Sequence, residues 1–277
     1  MTWFPDRDTK LCISLSRRPG NFGTRFHNFL YRELGLNFVY KGFGIQELRP
    51  AIEGIRALGI RGSAVSMPFK ESCMEFLDEL DPIAKAIGAV NTIVNTSGRL
   101  KGFNTDYAAI VKLLSDRRVP RDSRFALAGS GGMAKAVLHA LNDLGFKTGT
   151  IYARNERNGQ ALAKAYGLGW RSPSVSDVLE PAPEFLMNTT PIGMTGAKEA
   201  AQLPFSELSI RNAEYIFDVV ASPPETPFIR LARELRKATI TGADVIVLQA
   251  VEQFVLYTGI RPDEELIRRA AQFALLT

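Results

Sequence analysis

The sequence predicts an α/β fold, organised as two domains built from strand–helix units. Three observations carry this reading. Short apolar runs alternate with segments of helical period, the pattern of parallel strands joined by crossover helices. A glycine-rich turn, Gly129-Ser130-Gly131-Gly132, separates one such run from one such helix near mid-chain. The 277 residues, 45% hydrophobic and 23% charged, have ordinary globular composition and room for two modest cores.

Residues 10–15 read as a strand. Residues 25–34 then set Phe26, Phe29, Leu30 and Leu34 on one helical face and stop at Gly35. A strand over 37–43, a helix over 46–58 ended by Gly59, and a strand over 61–65 follow. Ser97-Gly98 between 92–95 and 100–103 reads as a tight hairpin, and 105–114 as the helix leading out of the first half. The second half opens with a strand over 124–128, the glycine turn and a helix to Leu144. A strand over 150–153, a helix over 156–166 and strands over 185–187 and 215–219 continue it. The proline-containing stretches 172–183 and 222–227 read as loops. Helices over 244–257 and 263–276 close the chain. The expected division is residues 1–105 with 242–277 as one domain and 106–241 as the other.

Composition narrows the chemistry. Lys+Arg 34 against Asp+Glu 29 leaves a net charge of +5 without a dense basic run, which suits small anionic ligands rather than nucleic acid. Two histidines, His27 and His139, exclude a zinc site of several imidazoles, and no metal site is expected. His139 lies within a helical segment and reads as structural. Cys12 and Cys73 lack the number and spacing of a disulfide framework and read as small buried hydrophobes in a reducing compartment. No basic-then-apolar stretch opens the chain, and Asp244, Gln249 and Glu252 interrupt its longest apolar stretch. A soluble, cytoplasmic protein with no membrane partner is the expectation.

Gly129-Ser130-Gly131-Gly132-Met133-Ala134 matches G-x-G-x-x-G/A directly between a strand and a helix. Glycines there permit a tight turn and close approach of a pyrophosphate to the helix N-terminus. That context favours a Rossmann-type dinucleotide-binding domain over a glycine-rich turn that only packs. The end of the next strand chooses the cofactor. NAD sites usually carry Asp or Glu there, whereas this chain has Ala153-Arg154-Asn155. An arginine can hold a 2′-phosphate and stack on adenine, so NADP is favoured over NAD. Glu156 offers a competing ribose acceptor, and a lone arginine also reads as a solvated surface charge.

Lys70 follows Val65-Ser66-Met67-Pro68-Phe69, and Asp106 follows Gly102-Phe103-Asn104-Thr105. Both stand at carboxyl ends of first-half elements, where open α/β sheets place ligands. Together they can manage a proton in carbonyl reduction: the ammonium polarises or protonates the developing alkoxide, and the carboxylate orients it. Alone, each reads as a surface charge, and Asp106 equally as a charge favoured by a helix N-terminus.

At this point the chain resembles the shikimate dehydrogenase family, and more closely its shikimate dehydrogenase-like branch, over nearly its whole length. The resemblance rests on Ser14-Leu15-Ser16, the segment Val65 to Lys70, Gly88-Ala89-Val90-Asn91-Thr92, Asn104-Thr105-Asp106, the glycine loop, Asn188-Thr189-Thr190-Pro191, Glu225-Thr226-Pro227, and Gly242 through Gln249-Ala250. It implies an N-terminal substrate domain, a Rossmann-type NADP domain, and reversible NADP-linked reduction of 3-dehydroshikimate to shikimate in the chorismate route to aromatic amino acids. Ser14 and Ser16 are then implied as hydroxyl ligands of the substrate carboxylate, and Ser66, Asn91, Asp106 and Gln249 as ligands of ring hydroxyls. Lys70 is implied as the acid/base residue with Asp106 as its partner. Gly129, Ser130, Gly131, Gly132, Met133, Arg154, Asn155, Thr189, Val219 and Gly242 are implied on the cofactor side. Blander readings exist: Ser14 and Ser16 ending a strand, Asn91 capping a turn, Gln249 satisfying buried backbone.

Departures from the family pattern bear on the substrate. A proline usually follows the second serine, with a His-Asn pair soon after. Here Arg17-Arg18-Pro19-Gly20-Asn21-Phe22-Gly23 intervenes before His27-Asn28, beside the expected carboxylate site. Ala64, Ser66 and Ala221 stand where the family carries asparagine, threonine and a substrate-contacting tyrosine. A lost phenol leaves substrate groups unpaired, so the expectation is weak activity on shikimate or action on a related small anionic cyclic substrate. Quinate or aminoshikimate oxidation, and a low-turnover NADP-binding sensor, are the competing functions. Retention of both Lys70 and Asp106 argues against the sensor.

Overall fold

A computed structural model describes residues 4–173 and 179–275. Residues 174–178 of the loop expected over 172–183, and residue 276 of the last expected helix, lie outside the described residues. The chain divides into two compact units, Met1–Ala108 with Val247–Thr277 and Ala109–Ile246. Both divisions fall inside helices, Thr105–Asp116 and Gly242–Thr258, rather than at their first residues. Asp106 therefore belongs to the same unit as Lys70, whereas a division at 105/106 separates them.

The first unit holds strands β1 (Lys10–Ser16), β2 (Phe38–Gly44), β3 (Gly62–Val65), β4 (Glu79–Leu80), β5 (Thr92–Thr96) and β6 (Arg99–Phe103), in the sheet order β2-β1-β3-β5-β6-β4. β1 pairs in parallel with β2 and β3, but β5 runs antiparallel to both β3 and β6. The sheet is thus mixed: the strand–helix units give its parallel pairs, and the hairpin expected at Ser97-Gly98 gives the antiparallel pair β5–β6. The β5–β6 hairpin turns at Ser97 (φ 52°) and Gly98 (φ 85°), the paired positive angles that a two-residue turn demands. Because β6 again runs in the sense of β1 and β3, its C-terminal end lies at the same edge as theirs.

Side chains alternate across β1. Cys12 joins Phe26, Tyr40, Phe254 and Tyr257 in one buried cluster, beneath α1 (Phe22–Glu33) and the final helices. Ile13 and Leu15 face the opposite cluster with Ile52 and Ile55 of α2 (Leu48–Ala57). Both cysteines are free and buried, and loss of hydration pushes each thiol up to about 12, so neither is a nucleophile at neutral pH. His27 is fully buried and stacks on Tyr40 at 4.4 Å. Burial lowers its imidazole to about 3, and the ring packs as a neutral aromatic. Its neighbour Asn28 donates to Tyr40 O and accepts from Tyr40 N at 2.8 and 2.9 Å, fastening α1 to β2.

The second unit holds β7 (Phe125–Ala128), β8 (Gly149–Tyr152), β9 (Gly169–Arg171), β10 (Phe185–Asn188), β11 (Tyr215–Asp218) and β12 (Ala238–Ile240), all parallel, in the order β12-β11-β10-β7-β8-β9. Helices α5 (Gly132–Asp143), α6 (Glu156–Tyr166), α7 (Glu207–Asn212) and α8 (Pro227–Glu234) connect them. Strand order reverses between β7 and β10. This is the doubly wound topology, and that switch point is where such sheets leave a crevice at their carboxyl ends. Among the described residues, no helix is long and apolar enough to cross a membrane.

Beside the switch point, Asp218 at the end of β11 is fully buried. It accepts from Asn188 Nδ2 at 3.0 Å, Thr226 Oγ1 at 2.6 Å and Val220 N at 3.1 Å, binding the ends of β10 and β11 to the start of α8. Burial outweighs these bonds and raises the carboxyl from 3.8 to about 6. The native state then holds a proton that the unfolded chain has lost between those values. Its contribution is complete below about pH 4, falls as pH rises to about 6 and is level above, a span of about 3 kcal/mol. An asparagine there does not titrate. In urea unfolding from pH 4 to pH 7, the stability of Asp218→Asn relative to wild type should rise with pH; a gap that stays constant contradicts the assignment.

Candidate active site

In the first unit the candidate residues gather at one end of the sheet. Ser14 and Ser16 occupy alternate positions at the C-terminal end of β1 and so share a face. Ser66 lies just past β3, where its amide donates to Leu15 O at 2.9 Å and its carbonyl accepts Phe69 N at 3.0 Å. This short turn delivers Lys70. Asn91 stands immediately before β5, and Asp106 just past β6, in the first turn of α4 (Thr105–Asp116). The antiparallel direction of β5 brings a strand beginning to an edge otherwise made of strand ends.

Lys70 Nζ donates to Asp106 Oδ2 at 2.5 Å. The carboxylate is completely buried, and the lysine side chain is 16% exposed. Asp106 is held there by local geometry: Asn104 Oδ1 caps α4 through Tyr107 N at 3.2 Å while its Nδ2 donates to Ala89 O at 2.9 Å. The helix N-terminus favours the negative charge. Lys70 is fixed through its carbonyl, which accepts Val90 N at 2.7 Å. Asp106 Oδ1 and Ser16 Oγ are buried and have no hydrogen-bond partner.

Asn91 is the hub of this end. Its Oδ1 accepts from Thr105 N at 2.8 Å and Thr92 Oγ1 at 2.9 Å, and its Nδ2 donates to Thr105 Oγ1 at 3.0 Å and Gln249 Oε1 at 3.3 Å. Gln249 lies on α9 (Gly242–Thr258); one turn later Gln253, 5% exposed, donates to Thr92 Oγ1 at 3.1 Å. Thr105 and Gln253 were not foreseen. The legible signal for Gln253 was a second glutamine four residues after the first on an apolar helix, the spacing of one helical face.

The inserted Arg17–Gly23 segment lies against the same end. Pro19 packs where a Cβ on Gly42 or Gly44 would come within 3.3 Å of it, so glycines there leave room for the insertion. The Arg17 amide donates to Met67 O at 3.3 Å. Its guanidinium bonds Gln46 Oε1 and rests 5.7 Å from the Phe69 ring centre, beside Lys70.

In the second unit the glycine loop sits at the switch point. Gly129 has φ +117°, and a Cβ there would lie 2.4 Å from Thr189 Oγ1, so only glycine fits. Thr189 donates from Oγ1 to Ala128 O at 2.6 Å, joining the two strand ends. Gly131 begins α5 in extended conformation without a side-chain cap, and a Cβ there meets nothing within 4 Å. The N-terminus of α5 thus carries no side-chain cap, an arrangement that fits the pyrophosphate of a dinucleotide. Ser130 and Met133, both half-buried, adjoin this turn in sequence.

Other expected cofactor residues have structural duties as well. Asn155 caps α6 by accepting from Asn158 N at 2.9 Å. Glu156, the competing ribose acceptor, accepts from Gln160 at 3.0 Å along the same helix. Val219 N donates to Asn188 O at 3.1 Å. A Cβ on Gly242 would lie 2.2 Å from the Val220 backbone, which makes that glycine a steric requirement. Arg154 is 73% exposed and pairs with Glu199 at 3.0 Å, an acid that sequence spacing did not reveal. Among the described residues, no cluster of His, Cys, Asp or Glu could hold a metal ion.

Comparison with known proteins points to one family. Residues 22–93 match the family model for the shikimate dehydrogenase substrate binding domain. A shikimate dehydrogenase-like protein of Haemophilus influenzae is 55% identical over 97% of this chain and 98% of its own. The NADP(+) shikimate dehydrogenase of Halothermothrix orenii is 35% identical over 86% of each chain. The structure of the Thermus thermophilus shikimate 5-dehydrogenase in complex with NADP(H) and shikimate superposes with a TM-score of 0.83 at 28% identity, over 96% of this chain and 100% of that one.

Proposed function

The chain belongs to the shikimate dehydrogenase family, and from that premise we propose that it is an NADP-dependent oxidoreductase interconverting shikimate, or a close cyclic analogue, and the corresponding 3-dehydro ketone. The observation that carries the proposal is the 2.5 Å hydrogen bond between Lys70 and the buried Asp106 at the strand-end site. A lysine held this way presents its remaining ammonium hydrogens to an oxygen on the reacting carbon.

When bound, NADP accepts or supplies the hydride. The chain's own task is the proton. In the reducing direction Lys70 Nζ donates to the developing alkoxide and stabilises it electrostatically; in the oxidising direction it takes that proton back. Asp106 Oδ2 keeps Nζ in place, and Oδ1 is an acceptor for a substrate hydroxyl. Asn91 and Gln249, bonded to each other at 3.3 Å, exchange that bond for neighbouring ring hydroxyls, and Ser66 completes that side. Ser14 and Ser16 receive the carboxylate, for which the unpartnered Ser16 Oγ is suited. The glycine loop, Thr189 and Arg154 hold the dinucleotide, with the arginine toward the 2′-phosphate.

Substrate recognition is where the resemblance to the family pattern breaks. Arg17, Ala64 and Ser66 alter the groups that would meet a substrate in the first unit, which supports a cyclic hydroxy acid related to shikimate. Formation of reduced cofactor from shikimate, quinate and aminoshikimate, each with NADP and NAD, tests the proposal. Turnover on at least one substrate is expected, with NADP the better cofactor. Tight NADP binding without turnover on any of the three would replace this reading with that of a cofactor sensor.

A further inference from the structure

We propose that Glu199 is a cofactor-discriminating residue, which engages Arg154 and thereby narrows the advantage of NADP over NAD. This rests on the reading of Arg154 as the 2′-phosphate ligand. Arg154 Nη1 lies 3.0 Å from Glu199 Oε1. The two members of the pair differ in exposure. Arg154 is largely exposed, whereas the Glu199 side chain is 26% exposed and its backbone is tied into its loop. The Glu199 carbonyl accepts Gly193 N at 3.0 Å and Gln202 N at 3.1 Å, and Thr195 N in the same loop donates to Ser222 O at 2.8 Å. The loop that carries the carboxylate is thus pinned through its backbone, and the exposed arginine reaches across to it.

Two consequences follow for a ligand at the end of β8. A guanidinium already neutralised by a carboxylate offers a 2′-phosphate a weaker field than a lone arginine, and the carboxylate repels the phosphate directly. A 2′-hydroxyl, by contrast, finds an acceptor of the kind NAD sites usually place at this strand end. Glu156 does not supply it, being turned along α6 to Gln160. Because the Arg154–Glu199 pair is exposed it is weak, so a phosphate can share or displace it, and discrimination is reduced rather than abolished.

The test is calorimetric titration of the full chain with 2′,5′-ADP and with 5′-AMP, which need no turnover. Glu199→Gln should bind 2′,5′-ADP roughly 1.5- to 5-fold more tightly, the scale of one exposed ion pair, with 5′-AMP bound no more tightly than by the wild type. Arg154→Ala should lose affinity for 2′,5′-ADP selectively. Selective loss in Arg154→Ala combined with unchanged or weaker 2′,5′-ADP binding in Glu199→Gln overturns the role of Glu199 alone. Equal tightening for both nucleotides in Glu199→Gln overturns it too. Equal loss of both, or no loss, in Arg154→Ala overturns the underlying reading of Arg154.

Discussion

Taking a carboxylate completely out of water is costly unless a cation and hydrogen bonds replace the solvent. Asp106 meets that condition through one ammonium, Lys70 Nζ, and through its place in the first turn of a helix. Much of the first unit can be read as what keeps those two groups together. Val90 N holds the Lys70 carbonyl, and Asn104 caps the helix that carries Asp106. Asn91, next to Val90, ties the start of that helix to α9. These links need the start of β5 beside the ends of β3 and β6, which only an antiparallel β5 provides.

The second unit is organised by a different constraint, the close approach of strand ends at the switch point. Gly129 and Gly242 each stand where a Cβ would overlap a neighbour, at Thr189 and Val220 respectively. Asp218 fastens the same region through Asn188 and Thr226. The motifs Asn188-Thr189-Thr190-Pro191 and Glu225-Thr226-Pro227 are therefore structural as well as candidate cofactor contacts: their polar side chains satisfy one buried carboxylate. The loop that follows the first of them carries Glu199 to Arg154.

Legibility in the sequence followed the physics. β1, β2 and β3, with the helices between them, were readable because apolar runs and glycine stops are local signals. The hairpin was readable because Ser97-Gly98 suits positive φ. β4, β9 and β12 are two or three residues long, too short for any periodicity to register. α8 was hidden by its own start: Thr226 caps it and Pro227 is its first residue, but a proline there also suits a turn. Lys70, Asp106 and the glycine loop were legible because their chemistry is tied to strand ends. Gln253 and Glu199 were not, since each acts through a partner far along the chain, Thr92 and Arg154. The pairing of β5 with β3 was equally invisible, because only the β5–β6 hairpin is local.

The central claim is that Lys70 moves the proton at the site and takes no part in holding the dinucleotide. Lys70→Ala separates the two functions, provided turnover and calorimetric NADP binding are measured on the same preparation. On the substrate the wild type turns over best, turnover should fall by about 10²–10⁴-fold while NADP affinity stays at the wild-type value. Turnover within a few-fold of wild type, with NADP binding intact, would contradict the assignment of Lys70 and the account built on it.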